Sequence, residues 1–110
     1  MSTKEEALER IKKEVEENKI IIYMKGTKDF PQCGFSAQAT ECLKRLEVPF
    51  ADRNVLNDED YWEYLEDYSH WPTFPQVFIG GKLVGGCDIV TELFQSGELK
   101  KLANEALQGS

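Results

Sequence analysis

No C-x-x-C pair occurs in this chain, which has three cysteines at positions 33, 42 and 87 and a single histidine, His70. Three irregularly spaced thiols are too few for a disulfide framework, and an odd count points to free thiols in a reducing compartment. One histidine and no paired cysteines also argue against a four-ligand zinc site built by the protein alone. Basic residues are in deficit: 13 Lys and Arg stand against 20 Asp and Glu, a formal net charge of −7. That balance argues against a partner gripped through its phosphates, so nucleic acid is not expected. No apolar stretch approaches the ~20 residues needed to span a bilayer, and no early run resembles a signal peptide. A cytoplasmic protein with no membrane partner is the expectation.

What is present reads as one ordinary soluble domain over residues 1–110, long enough for a hydrophobic core without cross-links. Ser2 or Thr3 followed three residues later by Glu5 or Glu6 is a capping-box signal, and Leu8, Ile11 and Val15 form the stripe of an amphipathic helix. "IIIYM" (20–24) is a short apolar run, the pattern of a strand buried on both faces. A loop broken by Gly26 and Pro31 leads to a second helix beginning near Cys33, with Phe35, Ala39, Cys42, Leu43 and Leu46 on one face. "PFADRNVL" (49–56) reads as a second strand, parallel to the first across a right-handed βαβ crossover.

"NDEDYWEYLEDYS" supplies a third helix with acids in its first turn. "QVFIGGKLVGG" is a hairpin around Gly80-Gly81, a dipeptide suited to a type I′ turn. Asp88 then caps a helix ended by Gly97, and Leu99, Leu102, Ala103, Ala106 and Leu107 stripe a last one. The order α-β-α-β-α-β-β-α-α predicts an α/β fold, a four-stranded mixed sheet flanked by helices on both faces.

Among candidate chemical residues, Cys33 leads. At a helix N-terminus, unpaired N–H groups and the dipole stabilise a thiolate and lower its pKa. Pro31 and Gly34 around it indicate an exposed turn. Cys42 lies nine residues on, about 900° around the helix and on the apolar stripe, so it reads as a small buried hydrophobe. Position alone leaves Cys87, between Gly86 and Asp88, open between turn residue and site residue. Asp88 reads as an N-cap, yet the glycines of "GGCD" leave helix N–H groups accessible to a carboxylate. Composition assigns Lys25, Met24 and His70 no role. "WPTFP" (71–75) is stiff and extended.

Taken together, "YMKGT", "PQCGFS" and "WPTFPQVFIGGKLVGGCDI" in this order resemble a monothiol glutaredoxin of the C-G-F-S class, over about residues 5–107. The resemblance implies a thioredoxin-like (glutaredoxin) fold, bound glutathione and a [2Fe–2S] cluster held between two protomers. It implies Cys33 as cluster ligand and Lys25 as partner of the glycyl carboxylate of glutathione. Phe74 would offer its backbone to the cysteinyl part, with Pro75 cis. The N–H groups of Cys87 and Asp88 would take the γ-glutamyl carboxylate, and the Asp88 side chain its amino group. BolA-type or apo iron–sulfur proteins are the partners it implies. One position departs: Trp62 stands nine residues before Trp71, where the family usually has arginine or lysine.

The resemblance also gives the missing second cysteine a reason. A [2Fe–2S] cluster takes four ligands, typically thiolates. Cys33 and one glutathione supply two, and a two-fold dimer doubles them. A cysteine at position 36 would favour an intramolecular disulfide instead; Ser36 removes that exit. The alternative is an enzyme, a glutathione-dependent thiol–disulfide oxidoreductase with Cys33 as sole nucleophile. A variant of it closes a Cys33–Cys87 disulfide as a switch, and a purely structural module is the third reading.

Overall fold

A computed structural model of the chain describes residues 2–109. The first helix, α1 (Lys4–Glu17), starts with the capping box in the Thr3–Glu6 version: the Thr3 hydroxyl accepts from the Glu6 N–H and the Glu6 carboxylate accepts from the Thr3 N–H. Its buried residues are Ala7, Ile11 and Val15; Ala7 takes the place expected for Leu8, which is only half buried, because the i, i+4, i+8 row faces the sheet.

Strand β1 (Ile20–Met24) is buried at all five positions and lies inside the sheet. The sheet order is β2-β1-β3-β4, with β2 (Ala51–Asn54) parallel to β1, and β3 (Gln76–Ile79) antiparallel to both β1 and β4 (Lys82–Gly85). The second strand is shorter than the expected 49–56. It ends where the Asn54 side chain accepts the Leu56 N–H (3.0 Å), turning Val55–Asn57 into one 3-10 turn. At the β3–β4 hairpin Gly80 and Gly81 have φ of +61° and +81°, as a type I′ turn demands.

Helices α2 (Gly34–Arg45), α4 (Cys87–Ser96) and α5 (Glu98–Gln108) cover one face of the sheet, and α1 and α3 (Glu59–Ser69) the other. Alternation along β1 serves both. Ile20, Ile22 and Met24 meet Leu43, Val90, Leu99 and Ala103, whereas Ile21 and Tyr23 meet Ile11, Val15, Tyr61 and Leu65. Tyr23, fully buried, donates its hydroxyl to Glu14 at 2.9 Å, and the Tyr61 hydroxyl reaches the same carboxylate at 2.7 Å.

Two expectations are corrected. Gly86, not Asp88, is the N-cap of α4; Asp88 lies inside the first turn. Phe35 is not on the buried face of α2 but 65% exposed, since its side chain lines the open cavity beside Cys33 rather than the core; Ser36, Ala39, Thr40, Cys42 and Leu43 make the buried stripe instead.

Candidate functional site

Cys33 is the N-cap residue of α2, half exposed where the loop from β1 ends. That loop is closed by its own backbone. Thr27 and Phe30 exchange N–H···O bonds (3.2 and 3.1 Å), and the Gln32 N–H donates to Lys25 O at 2.9 Å. Gly26 makes the closure possible, with φ +94° and no room for a Cβ, which would lie 2.5 Å from Phe30 O. The Gly26 N–H donates to the Asn54 side chain at 3.0 Å, tying the loop to the end of β2. Ser36, fully buried, accepts the Lys25 N–H on its hydroxyl at 3.1 Å. The serine that stands where a second cysteine would be therefore also pins the loop to the helix. Sequence reasoning missed this role, since the hydroxyl meets a residue 11 positions away.

The surroundings of Cys33 favour its thiolate. The backbone N–H of Ser36 lowers the pKa most; slight burial opposes it, and the Phe35 N–H, the charge of Lys25 and the Ser36 hydroxyl add to the lowering. Cys33 makes no side-chain cap bond, so these N–H groups act as dipoles aimed at the sulfur. Burial pushes the thiols of Cys42 and Cys87 the other way, and in Cys87 the neighbouring charges of Asp88 and Cys33 push further. The surroundings thus favour the thiolate at Cys33 and disfavour it at Cys42 and Cys87.

A cavity of about 820 Å³ opens beside Cys33 and brings Lys25, Phe74, Cys87 and Asp88 to one wall system. These segments come from the end of β1, the turn before β3 and the start of α4. The turn before β3 is braced from beneath: Gln76, 1% exposed, donates its amide N–H to Trp71 O at 2.9 Å and Thr73 O at 3.2 Å. The Phe74–Pro75 bond is cis. Gly86 lets this turn approach α4, since a Cβ there would meet Trp71 Nε1 at 3.2 Å and Pro75 O at 3.3 Å. With a glycine as N-cap, no side chain caps α4, and its first N–H groups remain open to an anion. Trp62 also lines the cavity, its ring 5.9 Å from that of Phe74 and 5.7 Å from Lys25 Nζ. Cys42, buried on α2, is not among the lining residues. Gln76 and Glu66 are lining residues that the sequence reading did not single out.

The family model for glutaredoxin matches residues 20–84, which carry the sheet and the Cys33 loop. The chain belongs to the glutaredoxin family, in its monothiol branch. It is similar to "Glutaredoxin 4" of Pasteurella multocida (strain Pm70), 53% identical over 97 residues that span 88% of this chain and 89% of that one. It is 49% identical over 105 residues to "Probable monothiol glutaredoxin 2" of Rickettsia prowazekii (strain Madrid E), covering 96% and 98% of the two chains. Among solved structures it resembles the buckwheat glutaredoxin–glutathione complex, with a TM-score of 0.83, 25% identity and coverage of 94% and 92%. The glutaredoxin fold and the monothiol character read from "PQCGFS" thus stand. Among the described residues, no helix is long and apolar enough to cross a membrane.

Proposed function

We propose that residues 1–110 work as a single glutaredoxin domain of the C-G-F-S class that binds glutathione and carries a [2Fe–2S] cluster between two protomers, receiving and handing on the cluster in the cytoplasm. The observation that carries the reading is the cavity joining Cys33 to Lys25, Phe74, Cys87 and Asp88. Its chemistry fits glutathione end to end. The uncapped N-terminus of α4 suits the γ-glutamyl carboxylate, exposed Asp88 the ammonium, and the Phe74 backbone the cysteinyl amide. Lys25 suits the glycyl carboxylate. The glutathione sulfur then lies beside Cys33.

Among the described residues no group of three or more His, Cys, Asp and Glu side chains is placed to hold a metal, so a cluster here needs ligands from outside one chain. Cys33, whose thiolate is favoured, supplies one, and glutathione a second; a two-fold pair of protomers completes four. Because two of the four ligands are exchangeable, the cluster is cargo, released to BolA-type partners or apo iron–sulfur proteins. Anaerobic reconstitution with iron, sulfide and glutathione tests this. A coloured dimer lost in Cys33→Ser supports it; a colourless monomer counts against it.

The lowered Cys33 pKa favours a second reading, deglutathionylation. The Cys33 thiolate attacks the glutathione sulfur of a mixed disulfide and expels the protein thiolate; a second glutathione thiolate then releases glutathione disulfide and restores Cys33. Turnover of a glutathionylated peptide by the colourless protein would establish it.

A further inference from the structure

Lys25 is the only cation lining the cavity among the described residues, so the glycyl end of a bound thiol depends on where its ammonium is held. A lysine is a point charge on a flexible stem, without the rigid fork of an arginine. Its placement therefore leans on the backbone that carries it. The Lys25 N–H donates to Ser36 Oγ at 3.1 Å, and its carbonyl accepts the Gln32 N–H at 2.9 Å; both bonds tie it to the Cys33 side of the cavity. Another wall is α3, where the Trp62 ring centre lies 5.7 Å from Lys25 Nζ.

The segments that carry Lys25 and Trp62 are joined at one atom. Asn54 ends β2 beside Met24, and its Oδ1 accepts the Gly26 N–H at 3.0 Å and the Leu56 N–H at 3.0 Å. Both partners are donors, so the oxygen of the amide faces them. Gly26 directly follows Lys25, and Leu56 belongs to the 3-10 turn that runs through Asp58 into α3. We propose that Asn54 is a positioning residue for the glycyl end of the ligand. Its one side-chain oxygen sets the Lys25 loop against the start of α3 and so holds the Lys25 ammonium where the glycyl carboxylate lies. The inference rests on the glutathione reading above. Asn54 is not among the residues lining the cavity, so it acts through Lys25 and does not touch the ligand.

The test is calorimetric titration of the reduced full chain with S-methylglutathione and with γ-glutamyl-S-methylcysteine methylamide. The second probe keeps both amide groups and lacks only the glycyl carboxylate. The ratio of the two Kd values isolates the carboxylate contact, worth about two- to fivefold for an exposed ion pair. Asn54→Ser keeps a short oxygen for the Leu56 N–H but is too short to reach Gly26, so the turn stays capped while the loop is released. It should bring the ratio close to one by weakening S-methylglutathione alone. In Lys25→Met the ratio should already be close to one, and adding Asn54→Ser should leave it there. An Asn54→Ser chain that keeps the original ratio, whether or not both probes weaken together, overturns the inference and leaves the glutathione reading intact. Equal affinities in the unaltered chain remove the Lys25 contact and overturn the inference too. Failure of the unaltered chain to bind either probe overturns the glutathione reading, and the inference with it.

Discussion

Replacing Gly26 by alanine should damage both stability and the Cys33 thiol. The residue sits at φ +94°, where an L side chain costs about 1–2 kcal/mol. Its new Cβ would lie 2.5 Å from Phe30 O and 2.6 Å from Gln32 N. Both are backbone atoms, so no side chain can swing aside. Relief requires the loop to open, breaking the Thr27–Phe30 pair of hydrogen bonds at 3.1 and 3.2 Å or the Gln32–Lys25 bond at 2.9 Å. Two bonds lost at ~1 kcal/mol each bring the total to about 3–4 kcal/mol. Urea unfolding followed by tryptophan fluorescence should show a midpoint lower by about 2 M. Iodoacetamide should modify Cys33 more slowly at neutral pH, since the N–H groups of Phe35 and Ser36 would no longer be aimed at it. A loss below ~1 kcal/mol with unchanged reactivity would refute the argument that this loop is rigidly closed.

Four further outcomes follow from the same physics. Alkylation mapped by mass spectrometry should modify Cys33 first and at a pH below that of an ordinary thiol, with Cys42 and Cys87 lagging. The stabilisation linked to Cys33 ionisation should be present above the unfolded-state pKa, ~8.5, and lost as pH falls through the lower folded value; that linked to Cys87 should be lost as pH rises through its raised one. Glu14→Ala should cost about 2–3 kcal/mol in thermal or urea unfolding, since it leaves the buried Tyr23 hydroxyl unpaired and removes the partner shared with Tyr61. In an ultraviolet titration Tyr61 should ionise at about 12, pushed up first by burial, and Tyr23 should stay protonated beyond it.

Local signals carried most of the fold. The "IIIYM" run marks the buried inner strand, Gly80-Gly81 the hairpin, and Thr3 with Glu6 the first helix start, because each is decided within a few residues. Errors came where distant residues decide. The Asn54 side chain ends β2 early by serving both Leu56 and Gly26. Phe35 has apolar character and helical spacing, yet its side chain lines the cavity beside Cys33 instead of the core. At the site, Cys33 was legible from its helix-start position, whereas Lys25, Phe74, Cys87 and Asp88 became a set only through the family resemblance. Their meeting in one cavity depends on the Gln76 brace and on Gly86, neither of which has a local pattern. Trp62 was visible as a departure; that its ring lies tilted beside Phe74 and under Lys25 needed the fold.

Native mass spectrometry of the reconstituted protein is the most direct test of the carrier account. The account predicts a single species of two chains, two glutathiones and one [2Fe–2S] cluster, absent when Cys33→Ser is treated alike. A cluster held by one chain, or by two chains without glutathione, would contradict it.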